Sequence, residues 1–421
     1  MIKEQNTLGT VINYQGLAPL GIVHVVPRYY PALGGVEEFV RRCAEIQASR
    51  GHDVSIVTSN LIRPGSSERF PVGVDSYNGV KIVRCRAHVL FPGRFYFVQG
   101  RTLKVLRELS PDVVHVHGNK CFASDLVSAW CKLTGRPFVF SPHAGKLGTT
   151  LVGKIHNSTL GLLSFSAPVV HCVSASEREL IRSVIKAPVR TVVIPPGIDI
   201  GEIDAAEGNV FKTIGVKEQK IILSVGRLEA NKGFDLLIRA IRQVADVISD
   251  IHAVIVGDDF GVRSDLQRLS ERLGVTHYVT IVGRLARAEL LSAYKNCTVF
   301  CHPARTEGFG IVVAEAMACG APVIAGRIPV MQELLGLEER GLMFSPEDHA
   351  ALGQQIVRIL GDTNLRQSLA REGQRFARSL TWEETANKLE SLYYQVCDKP
   401  SGGMSGSNRA AGSAASRNVQ A

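Results

Sequence analysis

The sequence predicts an α/β protein in which two doubly wound domains face each other across a cleft. Short apolar segments alternate with amphipathic segments along the chain, and the series restarts after Pro195-Pro196-Gly197. Such alternation is typical of parallel sheets joined by right-handed helical crossovers. The chain of 421 residues, 45% of them hydrophobic, is long enough for two cores. The predicted parts are a first domain at 1–200, a second domain at 201–380, a helix at 381–398 that packs back on the first domain, and a disordered tail at 399–421.

The first half contains short apolar segments that are typical of β-strands. A loop rich in Pro and Gly follows the first of them, and Gly51 ends the amphipathic segment after that loop. Ser176 and Glu179 form a capping-box pattern, which predicts that a helix begins there. The predicted strands of this half are 21–26, 53–58, 113–117, 137–141, 169–173 and 192–194.

The second half repeats the pattern. Gly320 ends the helix that follows the glycine-rich turn at 308–310. Ligands of open parallel sheets bind at the carboxyl ends of the strands, so we expect a site in the cleft between the domains. The predicted strands are 221–225, 253–256, 278–282, 299–301 and 322–325, and the bounded helices are 233–248 and 381–394.

Composition excludes several classes of protein. No apolar run approaches the roughly 18 residues that a membrane span requires, and the first 15 residues make a poor signal peptide. The nine cysteines form no Cys-x-x-Cys pair, which favours free thiols in a reducing compartment over disulfides or a zinc site. We therefore expect a cytoplasmic protein.

The positive charge is concentrated in the first half. Residues 1–200 hold 23 Lys and Arg against 13 Asp and Glu, whereas residues 201–421 hold 25 against 26. A basic half indicates an anionic partner such as a membrane surface, a lipid-linked phosphate or nucleic acid. A solvated surface bias explains the charge equally well.

The stretch from Glu307 to Glu315 carries the strongest functional signal. Two carboxylates flank a predicted helix N-terminus, which is loosened by Gly308 and Gly310 around Phe309. Such a terminus offers unpaired amide groups to a phosphate. Eight helical steps span about 12 Å, close to the reach of a sugar–diphosphate–ribose. This pattern predicts a nucleotide-sugar site, although either carboxylate alone is also compatible with a solvated surface residue.

A second cluster lies at the end of the first strand of the second half. The sequence Ser224-Val-Gly-Arg-Leu-Glu-Ala-Asn-Lys-Gly233 places Arg227 and Lys232 around a turn. An Arg fork and a Lys point charge suit a diphosphate. In isolation, the two cations would be better explained by capping of the turn. The loop is not a phosphate-binding loop of the Gly-x-x-x-x-Gly-Lys-Ser/Thr type.

Taken in order, these motifs resemble the retaining nucleotide-sugar glycosyltransferases of family four, which have the GT-B fold of two Rossmann-like domains. The resemblance extends from about residue 21 to residue 394. The motifs that carry it are Gly34-Gly35-Val36-Glu37, His115-Val116-His117-Gly118, Pro195-Pro196-Gly197-Ile198-Asp199, Arg227 with Lys232-Gly233, and the frame from Glu307 to Glu315.

The resemblance implies a role for each matched donor-site residue. Arg227 and Lys232 would neutralise the donor diphosphate, Glu307 would bind hydroxyls of the donor sugar, and Glu315 would bind the ribose. His143 would lie beside the transferred sugar, although a lone His after a strand is as often structural. Backbone groups would approach the donor at Gly34, Gly35, Gly226, Gly257, Gly308, Phe309, Gly310, Ile311 and Val312.

The predicted chemistry needs no metal and no cofactor. The leaving group is a nucleoside diphosphate, whose charge Arg, Lys and a helix terminus can stabilise. Metal-dependent enzymes of this kind usually show an Asp-x-Asp motif, which is absent from the chain. The resemblance implies transfer with retention of configuration. After Gly257 the chain has Asp258 and Asp259 where the family often has Gly-x-Gly-Pro. The sequence therefore does not predict which base the nucleotide carries.

The sequence indicates less about the acceptor than about the donor. Residues 84–107 interleave six cations with four aromatic residues. This composition is compatible with packing under a loop, with docking on an anionic bilayer, or, as a distant third, with nucleic acid. We expect a glycan or lipid-linked acceptor of cell-envelope or exopolysaccharide biosynthesis, bound at the inner membrane face, and no nucleic acid.

Other classes compete with this interpretation. Sugar-nucleotide epimerases and phosphorylases share the two-domain architecture, but the Glu307 and Glu315 frame favours transfer. A dinucleotide-dependent dehydrogenase is disfavoured because Gly-x-Gly-x-x-Gly follows none of the predicted strands. A non-catalytic partner in polysaccharide assembly is the remaining alternative.

Overall fold

The computed structural model describes residues 18–32, 34–63, 67–89, 97–119, 121–147, 151–216 and 219–397. Its first half is built on an eight-stranded sheet in the order β10-β9-β8-β7-β1-β2-β4-β3, parallel except for the β3–β4 pair. Strands β5 and β6 form a separate antiparallel pair. The strands are β1 (Gly21–Val26), β2 (Asp53–Ser59), β3 (Gly73–Tyr77), β4 (Val80–Cys85), β5 (Ala87–Val89), β6 (Phe97–Gln99), β7 (Val113–His117), β8 (Phe138–Ser141), β9 (Val169–Cys172) and β10 (Thr191–Val193).

The second half is built on a six-stranded parallel sheet in the order β13-β12-β11-β14-β15-β16. Strand β11 pairs with β12 over its whole length, from Lys220 beside Ile251 to Val225 beside Val256. The strands are β11 (Lys220–Val225), β12 (Ile251–Val256), β13 (Val279–Val282), β14 (Val299–His302), β15 (Val323–Gly326) and β16 (Leu342–Phe344).

Helices cover both faces of the two sheets. Those of the first half are α1 (Gly35–Ser49), α2 (Thr102–Leu109), α3 (Phe122–Thr134), α4 (Leu151–Ser158), α5 (Gly161–Phe165) and α6 (Ala175–Val184). Those after β10 are α7 (Ile200–Ala205), α8 (Val210–Thr213), α9 (Phe234–Ala245), α10 (Arg263–Arg272), α11 (Arg287–Asn296), α12 (Ile311–Ala318), α13 (Pro329–Leu335), α14 (His349–Gly361), α15 (Thr363–Ala377) and α16 (Trp382–Cys397). Among these described helices, none combines the length and the apolar character that crossing a bilayer requires.

The structure confirms the predicted pair of doubly wound α/β units. The sequence patterns missed β3, β4, β5, β6 and β16. Strand β3 is largely exposed and lacks an apolar face, and β5, β6 and β16 are only three residues long. The predicted helix start at Ser176 is wrong. The side chain of Ser174 instead accepts the first cap hydrogen bond, from the amide of Glu177. The tail at 399–421 and the aromatic residues Phe91, Phe95 and Tyr96 lie outside the described residues.

The last helix, α16, packs on the first sheet although it follows the second in sequence. Its apolar residues Trp382, Leu389 and Tyr393 share a buried cluster with Phe39 and Val40 of α1. The chain reaches this position by crossing beside the segment that leaves the first sheet. There the amide of Ile198 donates to the carbonyl of Leu380 at 2.7 Å. The two crossings between the halves therefore run side by side.

The crossings approach each other most closely at Gly197. A methyl group on Gly197 would lie 2.2 Å from the backbone nitrogen of Trp382 and 2.4 Å from its Cα atom. Both atoms belong to the backbone, so a side chain at this position requires one crossing to move. Only glycine fits there without displacement.

We expect Gly197→Ala to lower the free energy of unfolding by more than about 2 kcal/mol. The new methyl group would press against backbone atoms, which cannot move aside as a flexible side chain can. Urea denaturation of the purified protein measures the change. Gly201→Ala is the matched control, since a methyl group there lies 3.5 Å from its nearest neighbour and the residue is helical. Equal stability of the two variants would contradict the steric argument.

Candidate active site

The carboxyl ends of the two sheets meet at a cleft of about 1140 Å³. Loops after β1, β7 and β8 line it from one side, and loops after β11, β12 and β14 line it from the other. Of the site residues predicted from the sequence, those that line the cleft are Gly34, Gly35, His143, Gly226, Arg227, Lys232, Gly257, Glu307, Gly308, Phe309, Gly310, Ile311 and Val312.

An ion pair joins two of the second-domain loops. Nζ of Lys232 lies 2.7 Å from Oε2 of Glu307, and both side chains are largely buried. The ring of His302, at the end of β14, lies beneath this pair with Nε2 3.3 Å from the same carboxylate oxygen. The loop after β11 is thereby held against the loop after β14.

The charge of Glu307 is stabilised by these neighbours. Burial by itself raises the pKa of the carboxyl group, but the contact with His302 and the positive charge of Lys232 outweigh burial and hold the pKa below its ordinary value. Glu307 is therefore a carboxylate at any physiological pH. It can accept hydrogen bonds but cannot act as a general acid.

Arg227 is the more exposed of the two cleft cations. Its guanidinium group pairs with Glu229 at 2.8 Å and lies over the ring of Phe260, 5.3 Å from the centroid. About 40% of its side chain is accessible to solvent, and the residue lines the cleft. The accessible part of Arg227 can therefore meet an anion in the cleft.

Close backbone approach shapes the floor of the cleft. A methyl group on Gly257 would lie 1.8 Å from the carbonyl oxygen of Gly226, so the loops after β11 and β12 touch there. Gly310 adopts φ 91° as the N-cap of α12, a left-handed conformation that glycine adopts readily. The first amides of α12, at Ile311 and Val312, have no intrahelical acceptor and belong to the cleft wall. This geometry suits an anion.

Contacts between the domains close one end of the cleft. A methyl group on Gly145 would lie 3.0 Å from the carbonyl carbon of Glu307. The hydroxyl of Ser174 donates to the carbonyl of Gly308 at 2.9 Å. Next to it, the carboxylate of Glu333 accepts from the amides of Ala175 and Ser176. The loops that carry His143 and Glu307 are therefore in direct contact.

Glu315 is the exception among the predicted site residues, because it is buried behind the cleft wall. Its carboxylate is paired with Arg287 at 2.5 Å and accepts from the hydroxyl of Tyr294. Burial raises its pKa, and the guanidinium group of Arg287 opposes that effect. Arg287 also binds Glu202, which in turn pairs with Arg42 of the first domain. A chain of charges thus links Glu315 to α1.

His143 lies at the end of β8 with φ 52°, in the left-handed region that residues other than glycine rarely adopt. Its Nε2 atom is 2.9 Å from Nδ1 of His117. Burial lowers the pKa of His143 to about 3, so the ring is neutral. The ring thus contacts the interior of the first domain, and the residue also lines the cleft.

Sequence reasoning missed several residues of the site. Arg287 and Glu202 belong to no recognised motif, and their role depends on the packing of α7 against α11. Glu177 anchors the His143 loop by accepting from the amide of Ala144, which no local pattern indicates. His302 directly follows the predicted strand 299–301, so a longer strand would have placed it at the cleft.

Comparisons with known proteins identify the family of this chain. The model of Glycosyltransferase Family 4 matches residues 33–202, and the model of glycosyl transferases group 1 matches residues 208–376. The chain belongs to the group 1 and family 4 glycosyltransferases. The resemblance inferred from the motifs is confirmed.

Relatives and solved structures extend the match over most of the chain. A D-inositol 3-phosphate glycosyltransferase of Corynebacterium urealyticum is 26% identical over 408 residues, which cover 88% of this chain and 92% of that protein. Sucrose-phosphate synthase from Thermosynechococcus elongatus superposes with a TM-score of 0.74 at 22% identity, covering 89% and 98% of the two chains. HepE of Anabaena in complex with UDP-glucose gives 0.71 at 19% identity, covering 89% and 100%. The two structures confirm the GT-B fold of this glycosyltransferase.

We expect Arg287→Met to lower the free energy of unfolding by about 2 kcal/mol at pH 8, less than the loss from a fully buried pair because Arg287 is partly exposed. Without Arg287, burial raises the pKa of Glu315 further above 4.5. The folded state then binds this proton more tightly than the unfolded state, so stability falls as pH rises above about 4.5. The loss of unfolding free energy relative to the wild type should therefore be smaller at pH 5 than at pH 8.

Urea denaturation at the two pH values measures this difference. Adding Glu315→Gln to Arg287→Met removes the titrating group, and the deficit of the double variant should no longer depend on pH. A deficit of Arg287→Met that is equal at pH 5 and pH 8 would show that Glu315 is not destabilised by the loss of Arg287.

Proposed function

We propose that this glycosyltransferase moves a hexose from a nucleoside-diphosphate sugar to a glycan or lipid-linked acceptor in cell-envelope or exopolysaccharide biosynthesis. The observation that carries the proposal is the convergence of Lys232, Arg227, Glu307 and the N-terminus of α12 on one cleft. Two cations and a helix terminus suit a diphosphate, and the carboxylate suits sugar hydroxyls. The binding of UDP-glucose by HepE of Anabaena supports a donor of this class.

The cations stabilise the leaving group. Charge develops on the diphosphate as the bond to the sugar breaks, and the sugar passes through an oxocarbenium-like state. Lys232 carries three donors, so it can keep its bond to Glu307 while it donates to a phosphate oxygen. Arg227 contributes a planar fork from the adjacent turn. A neutralised diphosphate leaves without a general acid.

Glu307 and His143 hold the sugar between the domains. Glu307 is ionised and accepts hydrogen bonds from hydroxyl groups, while His143 faces the same space from the first domain. Glu315, which the resemblance assigns to the ribose, binds it only after Arg287 moves aside, because Arg287 covers its carboxylate. The first domain supplies the acceptor surface, and retention of configuration without a metal follows from the family resemblance.

The acceptor and the location are inferred from chemistry. The basic first half suits an anionic or lipid-linked acceptor at the inner face of a membrane. Docking of residues 84–107 on a bilayer stays a prediction, because most of the aromatic residues that it requires lie outside the described residues. Relatives named for D-inositol 3-phosphate add a phosphorylated polyol to the acceptors worth testing.

We expect one member of a panel of UDP-, GDP- and ADP-sugars to raise the unfolding temperature and to support transfer. A donor present at 100 times its dissociation constant adds about 2.7 kcal/mol of stability. Lys232→Met should then lower kcat/KM by about a hundredfold, because the leaving group loses a charged donor. Lys388→Met is the control, since that lysine pairs with Glu384 on α16, away from the cleft. Undiminished turnover by Lys232→Met would refute the assigned role.

Transfer should continue at an undiminished rate in excess EDTA, because protein cations neutralise the diphosphate. Proton NMR of the product should show the anomeric configuration of the donor. Loss of activity in EDTA that returns with a divalent cation would contradict the metal-independent reaction. Formation of an epimer of the donor sugar without transfer would indicate an epimerase instead.

A further inference from the structure

A chain of buried polar groups, interrupted between Tyr393 and Gln47, runs through the core of the first domain and ends at His143. All of its histidines lie on β-strands or strand ends of the sheet, and His24, His115, His117 and His171 are completely buried. Its neighbouring members are 2.6–3.0 Å apart where hydrogen bonds form. The members in order are the carbonyl of Ile194, His171, Ser141, His115, Tyr393, Gln47, His24, His117 and His143.

The carbonyl of Ile194 fixes the direction of the first part of this chain. A carbonyl only accepts, so His171 donates through Nε2 and its Nδ1 atom must accept. The hydroxyl of Ser141 is therefore the donor to His171 at 2.6 Å, and its oxygen accepts from Nε2 of His115 at 2.6 Å.

Tyr393 continues the chain from the last helix. Nδ1 of His115 is left as an acceptor, and the hydroxyl of Tyr393 donates to it at 2.6 Å. The phenol oxygen then has no proton to offer to Gln47. If the carbonyl oxygen of Gln47 were directed toward Tyr393, two hydrogen-bond acceptors would face each other.

The amide of Gln47 begins the second part of the chain. Its nitrogen forms no hydrogen bond among the described groups, so the direction of the second part rests on its oxygen. The amide oxygen faces Nε2 of His24 at 2.9 Å and can only accept.

The remaining donors follow one after another. His24 donates through Nε2, so its Nδ1 atom accepts from Nε2 of His117 at 3.0 Å. Nδ1 of His117 accepts in turn from Nε2 of His143 at 2.9 Å. The proton of His143 is thus on Nε2, and Nδ1 is the atom with a free lone pair.

A metal site is the competing interpretation of this cluster. His24, His115 and His117 lie close enough together to bind one ion. All six of their ring nitrogens, however, already form the hydrogen bonds of the chain. A bound ion would have to break several of these bonds in a completely buried place, so the geometry favours the hydrogen-bonded chain.

We propose that Gln47, His24 and His117 are positioning residues that fix the tautomer of His143, so that its Nδ1 atom accepts a hydrogen bond from a hydroxyl of the transferred sugar. This role rests on the proposed function of the cleft. His143 and Glu307 line the same cleft, and the contact of Nε2 with His117 leaves Nδ1 as the ring nitrogen available to a ligand. A wrong tautomer would present a donor where the sugar requires an acceptor.

The tautomer itself can be observed without substrate. Nitrogen NMR of the full-length protein with ¹⁵N-labelled histidine, at pH 7.5, distinguishes a protonated ring nitrogen from an unprotonated one. His143→Asn assigns the signals of His143 among the 12 histidines of the chain. We expect Nε2 of His143 to be protonated and Nδ1 to be unprotonated. A protonated Nδ1, or a tightly bound metal in the purified protein, would overturn the proposal.

Two substitutions at His24 separate positioning from mere packing. Asn places its side-chain oxygen where Nδ1 of His24 lies, so His24→Asn keeps an acceptor for His117. His24→Leu removes that acceptor and allows His117, and then His143, to change tautomer. In His24→Leu we expect the proton of His143 to move to Nδ1 and kcat to fall about tenfold or more with little change in donor KM. His24→Asn should keep the native tautomer and most of the activity.

The two proposals fail in different ways. If no donor supports turnover but Nε2 of His143 is protonated, the function is wrong and the tautomer assignment stands. If transfer occurs and His24→Leu keeps full kcat with Nε2 of His143 still protonated, the positioning role is wrong. Thermal unfolding of each variant shows whether it is folded, and the wild-type spectrum decides the tautomer even if His24→Leu does not fold.

Discussion

The ion pair between Lys232 and Glu307 is the interaction on which the second-domain side of the cleft depends. It joins loops from two different strands, and α12 begins only a few residues after Glu307. Burying either charge alone is costly, and each offsets the cost of the other. The pair therefore fixes both the cation and the direction of the helix terminus. Without this pair, nothing would hold the turn at Arg227 against the loop that leads into α12.

The same cleft depends on how the two domains meet. Contacts at Gly145 and Ser174 press the His143 loop against Gly308, and Arg42 reaches across to Glu202. These contacts are polar and mostly involve backbone, which suits surfaces that separate and close again more than a dry hydrophobic core would. The buried clusters of each domain, in contrast, are continuous and apolar. Rigid domains with a polar interface match an enzyme whose substrates must enter between them.

Buried polar side chains in the interior of the first domain also contribute to the site, because they contact His143. Most buried polar groups satisfy each other locally, but here they form two directed series. One runs from the end of β10 to Tyr393 of α16, the helix that closes the fold. The other runs from Gln47 through His24 and His117 to His143 at the cleft.

The sequence by itself determined the alternation of strands and helices, the two domains and the cleft-facing loops, because apolar periodicity and glycine positions are local properties. It also determined that Arg227, Lys232 and Glu307 belong to those loops. Only the tertiary structure decided that Glu315 is covered by Arg287, that Lys232 binds Glu307, and that His143 contacts a buried series of histidines. Those features depend on groups distant in the chain, whose distances and burial no local pattern encodes.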